Sequence, residues 1–213
     1  FEPYGRTLSV TPSLRLEHQQ YKPEESGSRI QDKDFTYFAP SLAIAYQFTP
    51  ENYSYFKYAR GARIPSPMEM GGSYETSNGA SYLVMGNSNL NKETSDGFEI
   101  GLKNTAFDGI KVDVTAFYTA YSDFIDYQNV SVPGYFLVYR AENIADARIW
   151  GAELSSRIDL GHFIENADGF SLALVAGKTK GAAKNKEGTK TGLNSVQPEK
   201  GSLTFAYDDP NRK

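Results

Sequence analysis

From Leu8 to Glu17 the chain alternates without a break. Leu8, Val10, Pro12, Leu14 and Leu16 hold the even positions, and Ser9, Thr11, Ser13, Arg15 and Glu17 hold the odd ones. Side chains of a strand point alternately to its two faces, so a period of two gives one apolar and one polar face. The pattern recurs at Phe38–Phe48, Phe98–Leu102, Ile110–Tyr118, Trp150–Leu160, Phe170–Ala176 and Leu203–Tyr207. With an aromatic strand over Tyr53–Arg60, about eight strands are expected. Pro12 removes a ladder donor and marks an edge or a bulge. Opposite the apolar face of the second strand stand Ala39, Ser41, Ala43 and Ala45, which are too small to fill the core of a water-soluble sheet.

The connections alternate in length. Thr49–Asn52, Thr105–Gly109 and Asp208–Asn211 read as short turns, whereas Lys22–Lys33, Gly61–Glu93, Gln128–Gly134 and Gly181–Asn194 read as loops. Gly161–Gly169 belongs with the short set although it is longer. In an up-and-down meander this order puts the long loops at one end. Strands of ten or more residues, one apolar face and long loops at one end predict an all-β, antiparallel, up-and-down transmembrane β-barrel. A soluble β-sandwich binding module is the alternative, and would have shorter strands. Leu8, Val10, Leu14 and Leu16 separate the two, since a barrel turns them outward and a sandwich buries them.

Composition supports strands and excludes several functions. Tyr 15 and Phe 13 stand against Trp 1, and Cys 0 removes disulfides, thiolate metal sites and cysteine nucleophiles together. A net charge of −4 argues against nucleic acid as a partner. Lys178, Lys180, Lys184, Lys186 and Lys190 form one basic run, diluted by Gly, Ala and Asn and read as a solvated loop. The mean hydropathy of −0.51 is no argument for solubility, because a barrel averages its two faces. With no start methionine, signal peptide or closing strand, residues 1–213 are expected to be a piece of a larger protein.

Five motifs in order carry a resemblance that spans nearly the whole chain. They are YARGARIPSPMEM, SNLNKETSDGFEIGLK, TAFYTAYSDFID, ENIADARIWGAEL and LNSVQPEKGSLTFAYDDP. Together they resemble TonB-dependent outer-membrane receptors, and the last two are most similar to the haemoglobin, transferrin and lactoferrin branch. The resemblance implies a multi-pass barrel of twenty-two strands in the outer membrane of a Gram-negative bacterium. It also implies that the plug domain and the C-terminal strands lie elsewhere in the protein. The implied function is active iron uptake, with haem, or haem from a carrier such as haemoglobin, as the transported ligand. A siderophore or other metal-chelate receptor is the alternative within the family. The implied partners are outer-membrane lipid and the TonB complex acting on the plug. No resident cofactor and no enzymatic activity are implied.

The stretch Gly61–Glu93 is the expected business end, because loops of about thirty residues are uncommon unless functional. Haem receptors often place an axial histidine here, yet this stretch contains none. Tyr74 and Tyr82 are its candidate ligand-binding side chains, as haem ligands or, in the favoured reading, as aromatic anchors for a protein partner. Arg60 and Arg63 are candidates for an anionic ligand, against a structural role in which they pair with Glu69 or Glu93 and pin the loop base. His18 reads as a rim residue, and His162 lies on the short-turn side. Glu99, Lys103, Lys111, Asp113, Glu153 and Arg157 are expected to face the lumen. No metal site and no catalytic constellation emerge.

Overall fold

The computed structural model describes residues 7–22, 32–76, 81–184, 188–191, 193 and 196–209. Its elements run β1 (Thr7–Tyr21), β2 (Lys33–Thr49), β3 (Asn52–Arg63), α1 (Pro67–Gly71), β4 (Ser73–Thr76), β5 (Tyr82–Met85), β6 (Glu93–Phe107), β7 (Ile110–Asn129), β8 (Leu137–Asp159), a 3-10 turn (Leu160–His162), β9 (Phe170–Lys184), β10 (Lys190–Thr191) and β11 (Lys200–Tyr207). Eight of these pair antiparallel, each with its neighbour, in the order β1-β2-β3-β6-β7-β8-β9-β11. This is the meander that the alternation predicts. Most of the predicted loop Lys22–Lys33, parts of Gly181–Asn194 and the end of the Asp208–Asn211 turn lie outside the described residues.

Register makes the apolar face continuous. Leu16, Leu14, Pro12, Val10 and Leu8 lie opposite Phe38, Pro40, Leu42, Ile44 and Tyr46. Leu42 and Ile44 oppose Tyr58 and Phe56, which oppose Phe98 and Ile100 in turn. The row continues through Tyr118 and Ala116 to Trp150 and Ala152. Opposite Trp150 and Ala152 β9 carries Lys180 and Lys178; the apolar face continues lower down, from Leu154 and Ile158 to Ala176 and Leu172, and Leu174, Leu172 and Phe170 face Leu203, Phe205 and Tyr207. Leu8 at 63%, Leu16 at 73% and Leu203 at 68% are exposed, not packed in a core. A sandwich would bury them; a barrel turns them to lipid. Tyr58, Phe98, Tyr118 and Trp150 form an aromatic row across four neighbouring strands on this face.

The opposite face is polar and self-paired. Lys57 meets Glu99 at 3.1 Å, Lys103 meets Asp113 at 3.9 Å, and Arg157 reaches Asp159 at 3.2 Å and Asp208 at 3.4 Å. Tyr55 and Thr115 hydroxyls lie 3.1 Å apart, and the Tyr55 ring lies over Gly101, where a side chain would displace it. Two prolines fit because the ladder does not need their nitrogens. β1 pairs only with β2 among the described residues, and β3 leaves β2 at Ser41, one residue before Pro40.

Among the described residues the buried apolar side chains are few and sit above the aromatic row. Leu90, Ile125 and Ala141 form one cluster, and Ile144, Ala147, Ala183 and Leu193 form a second. The wall has no core of its own; the loops at its upper end do.

Candidate ligand-binding mouth

The long connection from β3 to β6 carries its own secondary structure, which corrects the reading of it as a structureless loop. Local chemistry explains the first turn. Ser66 caps α1, its hydroxyl accepting from the Glu69 N–H while the Glu69 carboxylate accepts from the Ser66 N–H, and Pro67 opens the helix. β4 and β5 then form a short hairpin. β5 runs parallel to the upper part of β8, with Tyr82 beside Leu137 and Met85 beside Arg140. It takes the edge of β8 that β9 leaves free above Lys184.

Arg63 ties this excursion down. Its guanidinium donates to both Glu69 oxygens at 2.9 and 3.0 Å, to Glu93 Oε2 at 3.1 and 3.3 Å, and to the Ile125 carbonyl at 3.3 Å. Glu93, only 5% exposed, also accepts the Ile125 N–H at 3.1 Å. Burial works against the charge on Arg63, but the Glu69 and Glu93 carboxylates outweigh it and hold the guanidinium above its usual value. For Glu69 burial likewise opposes ionisation, and the Ser66 and Arg63 donors more than offset it, so its carboxyl titrates below the usual range.

The far end of the connection is fastened as firmly. Leu90 is fully buried against Ile125 and Ala141. The Asn143 amide accepts from the Asn91 N–H at 2.8 Å and donates to the Asn91 carbonyl at 3.1 Å and the Asp123 carbonyl at 2.7 Å. Asp123 has a left-handed φ of 55°, a strained position that these bonds hold in place. Lys33 donates to the carbonyls of Ser88 and Leu90, and burial pushes its ammonium pKa down. Gly86 is wedged against α1, donating to Gly72 O at 2.8 Å, and a Cβ there would stand 2.8–2.9 Å from backbone atoms of Glu69, Met70 and Gly71.

The expected site residues separate in space. Tyr74 pairs with Val84 and Tyr82 with Thr76, so both tyrosines lie on one face of the hairpin. Tyr74 is 62% exposed; Tyr82 is half-buried with its ring 6.1 Å from that of Tyr139. Arg63 lies below them in the clamp. Arg60 is not brought to the mouth: it shares the outward face with Tyr58 and lies opposite Asp96. Sequence reasoning missed Tyr139 and Phe136, the latter 81% exposed with its N–H on Ser81 O at 2.8 Å. It also missed Asn143, whose role depends on a parallel pairing that no local signal announces. His18 Nδ1 lies 2.8 Å from Thr36 Oγ1, and His162, in the 3-10 turn at the opposite end, meets the Phe163 ring edge to face. Among the described residues no group of three His, Asp or Glu side chains is placed to hold a metal ion.

An outward apolar band, a polar lumen and a packed loop over one rim define the wall of a membrane β-barrel with an aromatic mouth. The family model "TonB dependent receptor-like, beta-barrel" matches residues 3–212, and the chain belongs to that family. The chain is 27% identical, over 98% of its length, to a protein of Haemophilus influenzae called probable hemoglobin and hemoglobin-haptoglobin-binding protein 4. It spans 21% of that relative's length. Two solved structures share the fold. The copper transporter OprC has a TM-score of 0.67 at 18% identity, over 95% of this chain and 30% of OprC. The Serratia marcescens hemophore receptor HasR, in complex with hemophore HasA and heme, has a TM-score of 0.61 at 16% identity, over 94% of this chain and 37% of HasR.

Proposed function

We propose that the chain is part of an outer-membrane receptor of a Gram-negative bacterium that takes up iron as haem, delivered by a haemoglobin-type carrier protein. The observation that carries this reading is the braced β4–β5 hairpin. It holds Tyr74 in the open, on one face with the Tyr82–Tyr139 ring pair, on a base fixed by Arg63, Glu93 and Asn143. Rigid aromatic anchors on a fixed base suit capture of a protein surface, because little side-chain freedom is lost on binding. The absence of histidine from Gly61–Glu93 favours gripping the carrier over ligating its iron. The similarity to a haemoglobin-binding relative supports the same ligand class.

Tyr74 and Tyr82 contact the carrier in this scheme, and Arg63 positions them. The polar inner face encloses the plug, and energy arrives from the TonB complex through that plug, outside this chain. The test is haemoglobin and free-haem binding by the full-length receptor, with and without the β4–β5 hairpin. Haemoglobin binding should fall at least tenfold while free-haem binding changes less. Unchanged haemoglobin binding refutes the role assigned to the hairpin.

A further inference from the structure

Above Ser41 the wall loses a strand. β1 stays paired with β2 up to Tyr21 and Lys33, but β3 meets β2 only from Ala59 and Ser41 downward. Beyond Arg63, Pro65 and Pro67 turn the chain into α1, so β3 does not climb beside the upper part of β2. Among the described residues a lane beside Lys33–Ala39 is left without a strand. In an antiparallel pair alternate residues turn both backbone groups to the same side. Asp34, Thr36 and Phe38 therefore share the direction of Pro40, away from β1, and face the lane.

Among the described residues three side-chain hydrogen bonds span this lane. The Lys92 ammonium donates to the Thr36 carbonyl, and the Lys33 ammonium donates to the Ser88 carbonyl at 3.0 Å and to the Leu90 carbonyl. Each has its far end in the segment Ser88–Lys92. That segment is fixed from the other side, by Leu90 against Ile125 and Ala141 and by Asn91 on Asn143. Docked, it supplies both carbonyls and the Lys92 ammonium; undocked, it withdraws all three bonds together. Lysine and proline are the residues that blunt a free strand edge against strand addition, so Lys33, Lys92 and Pro40 argue against the lane as a dock for a foreign strand. The Lys92 bond is exposed and the Lys33 bonds are part-buried, so water competes for them and the connection is reversible.

We propose that Lys33 and Lys92 latch a seam in the barrel rim, closed while the mouth segment is docked and released when it undocks. The upper β1–β2 hairpin and the wall that begins at β3 then separate above Ser41, and the rim widens. Docking of the mouth and width of the rim form one equilibrium, so a perturbation of either shifts the other by the same factor. The inference rests on the docked mouth segment, and not on the identity of the carrier or the transported ligand.

The experiment measures the seam by electron–electron double resonance on the full-length receptor in detergent, with no carrier present. Spin labels at Gln20→Cys on β1 and Ser122→Cys on β7, both exposed, report the distance across the lane. Glu51→Cys and Lys111→Cys form a control pair at the short-turn end. Lys33→Met/Lys92→Met should lengthen the first distance by about one strand spacing, roughly 5 Å, and Lys33→Arg/Lys92→Arg, which keeps the donors, should leave it unchanged. Leu90→Ala loosens the segment without removing either lysine, and should lengthen it too. Conversely, Lys33→Met/Lys92→Met should speed exchange at the Gly86 and Asn87 amides about tenfold. A constant control distance separates seam opening from unfolding. An unchanged Gln20–Ser122 distance in Lys33→Met/Lys92→Met overturns the proposal, because another contact then closes the lane. A response to the lysine variant but none to Leu90→Ala overturns it as well, because the mouth segment then does not work the latch. Absence of haemoglobin binding by the wild type would sink the carrier reading and leave the distances standing.

Discussion

Removing the Arg63 side chain is the most direct test of the clamp. The contact with Glu69 contributes on the order of 0.5–1 kcal/mol, because the Arg63 side chain is 44% exposed. The contact with Glu93 matters more, since that side chain is only 7% exposed. In Arg63→Ala the carboxylate keeps one donor, the Ile125 N–H. Stranding a fully buried charge costs about 3–5 kcal/mol. Water admitted by the vacated, half-open position lowers that to roughly 2 kcal/mol. A factor of ten corresponds to about 1.4 kcal/mol, so the undocked loop should rise about 30-fold in population. Hydrogen exchange of the full-length receptor in detergent reads this directly, at the amides of Ile125, Gly86 and Asn87, whose acceptors are Glu93, Gly72 and Glu69. Glu93→Gln keeps an acceptor for Ile125 and should cost about 1 kcal/mol. The double variant should then cost less than the sum, by roughly 1–2 kcal/mol of coupling. Strict additivity, or unchanged exchange at Gly86 in Arg63→Ala, would show that something other than this ion pair holds the mouth.

Further outcomes follow from the same geometry. Leu90→Ala removes a fully buried side chain and should destabilise the docked loop by about 2–5 kcal/mol, read as faster tryptic cleavage there with the barrel intact on heat-modifiability gels. Gly86→Val drives a side chain into the α1 backbone and should release the Gly86 and Asn87 amides to exchange, without affecting Tyr58 or Trp150. Because the Glu69 carboxyl titrates below its ordinary value of 4.5, its contribution is complete above that value and is lost as pH falls further. Loop protection should be flat across neutral pH, decline below about 4.5, and lose this dependence in Glu69→Gln. Tyr74→Ala should weaken haemoglobin binding about tenfold or more at unchanged thermal stability, since its ring is exposed.

The wall was legible in the sequence because its signal is local. Period two at Leu8–Glu17 or Phe98–Lys103 states which side chain goes to which face, and register follows from keeping those faces continuous. The extent of β8 was less legible. Alternation was read only over Trp150–Leu160, whereas a single strand runs from Leu137 to Asp159. The mouth was partly hidden for a physical reason. Arg63 could be foreseen as pinning the loop base, because opposite charges, Glu69 and Glu93, stand in and at the end of the stretch it opens. The anchoring of Asn91 on Asn143 and of β5 on β8 joins residues more than fifty positions apart, and composition carries no trace of it. The aromatic face was half visible: Tyr74 and Tyr82 stood out in the loop, while Tyr139, whose ring lies 6.1 Å from that of Tyr82, lies on β8.

The parallel pairing of β5 with β8 sets an order of assembly. β5 lies between β3 and β6 in sequence, but its partner is reached only after β6 and β7 have crossed the sheet. Ring closure over so long an interval is entropically costly unless the intervening hairpin is already formed. The binding surface is therefore the last part of this region to close. Its docked form thus reports, in a single contact, that the strands beneath it have been laid down in register.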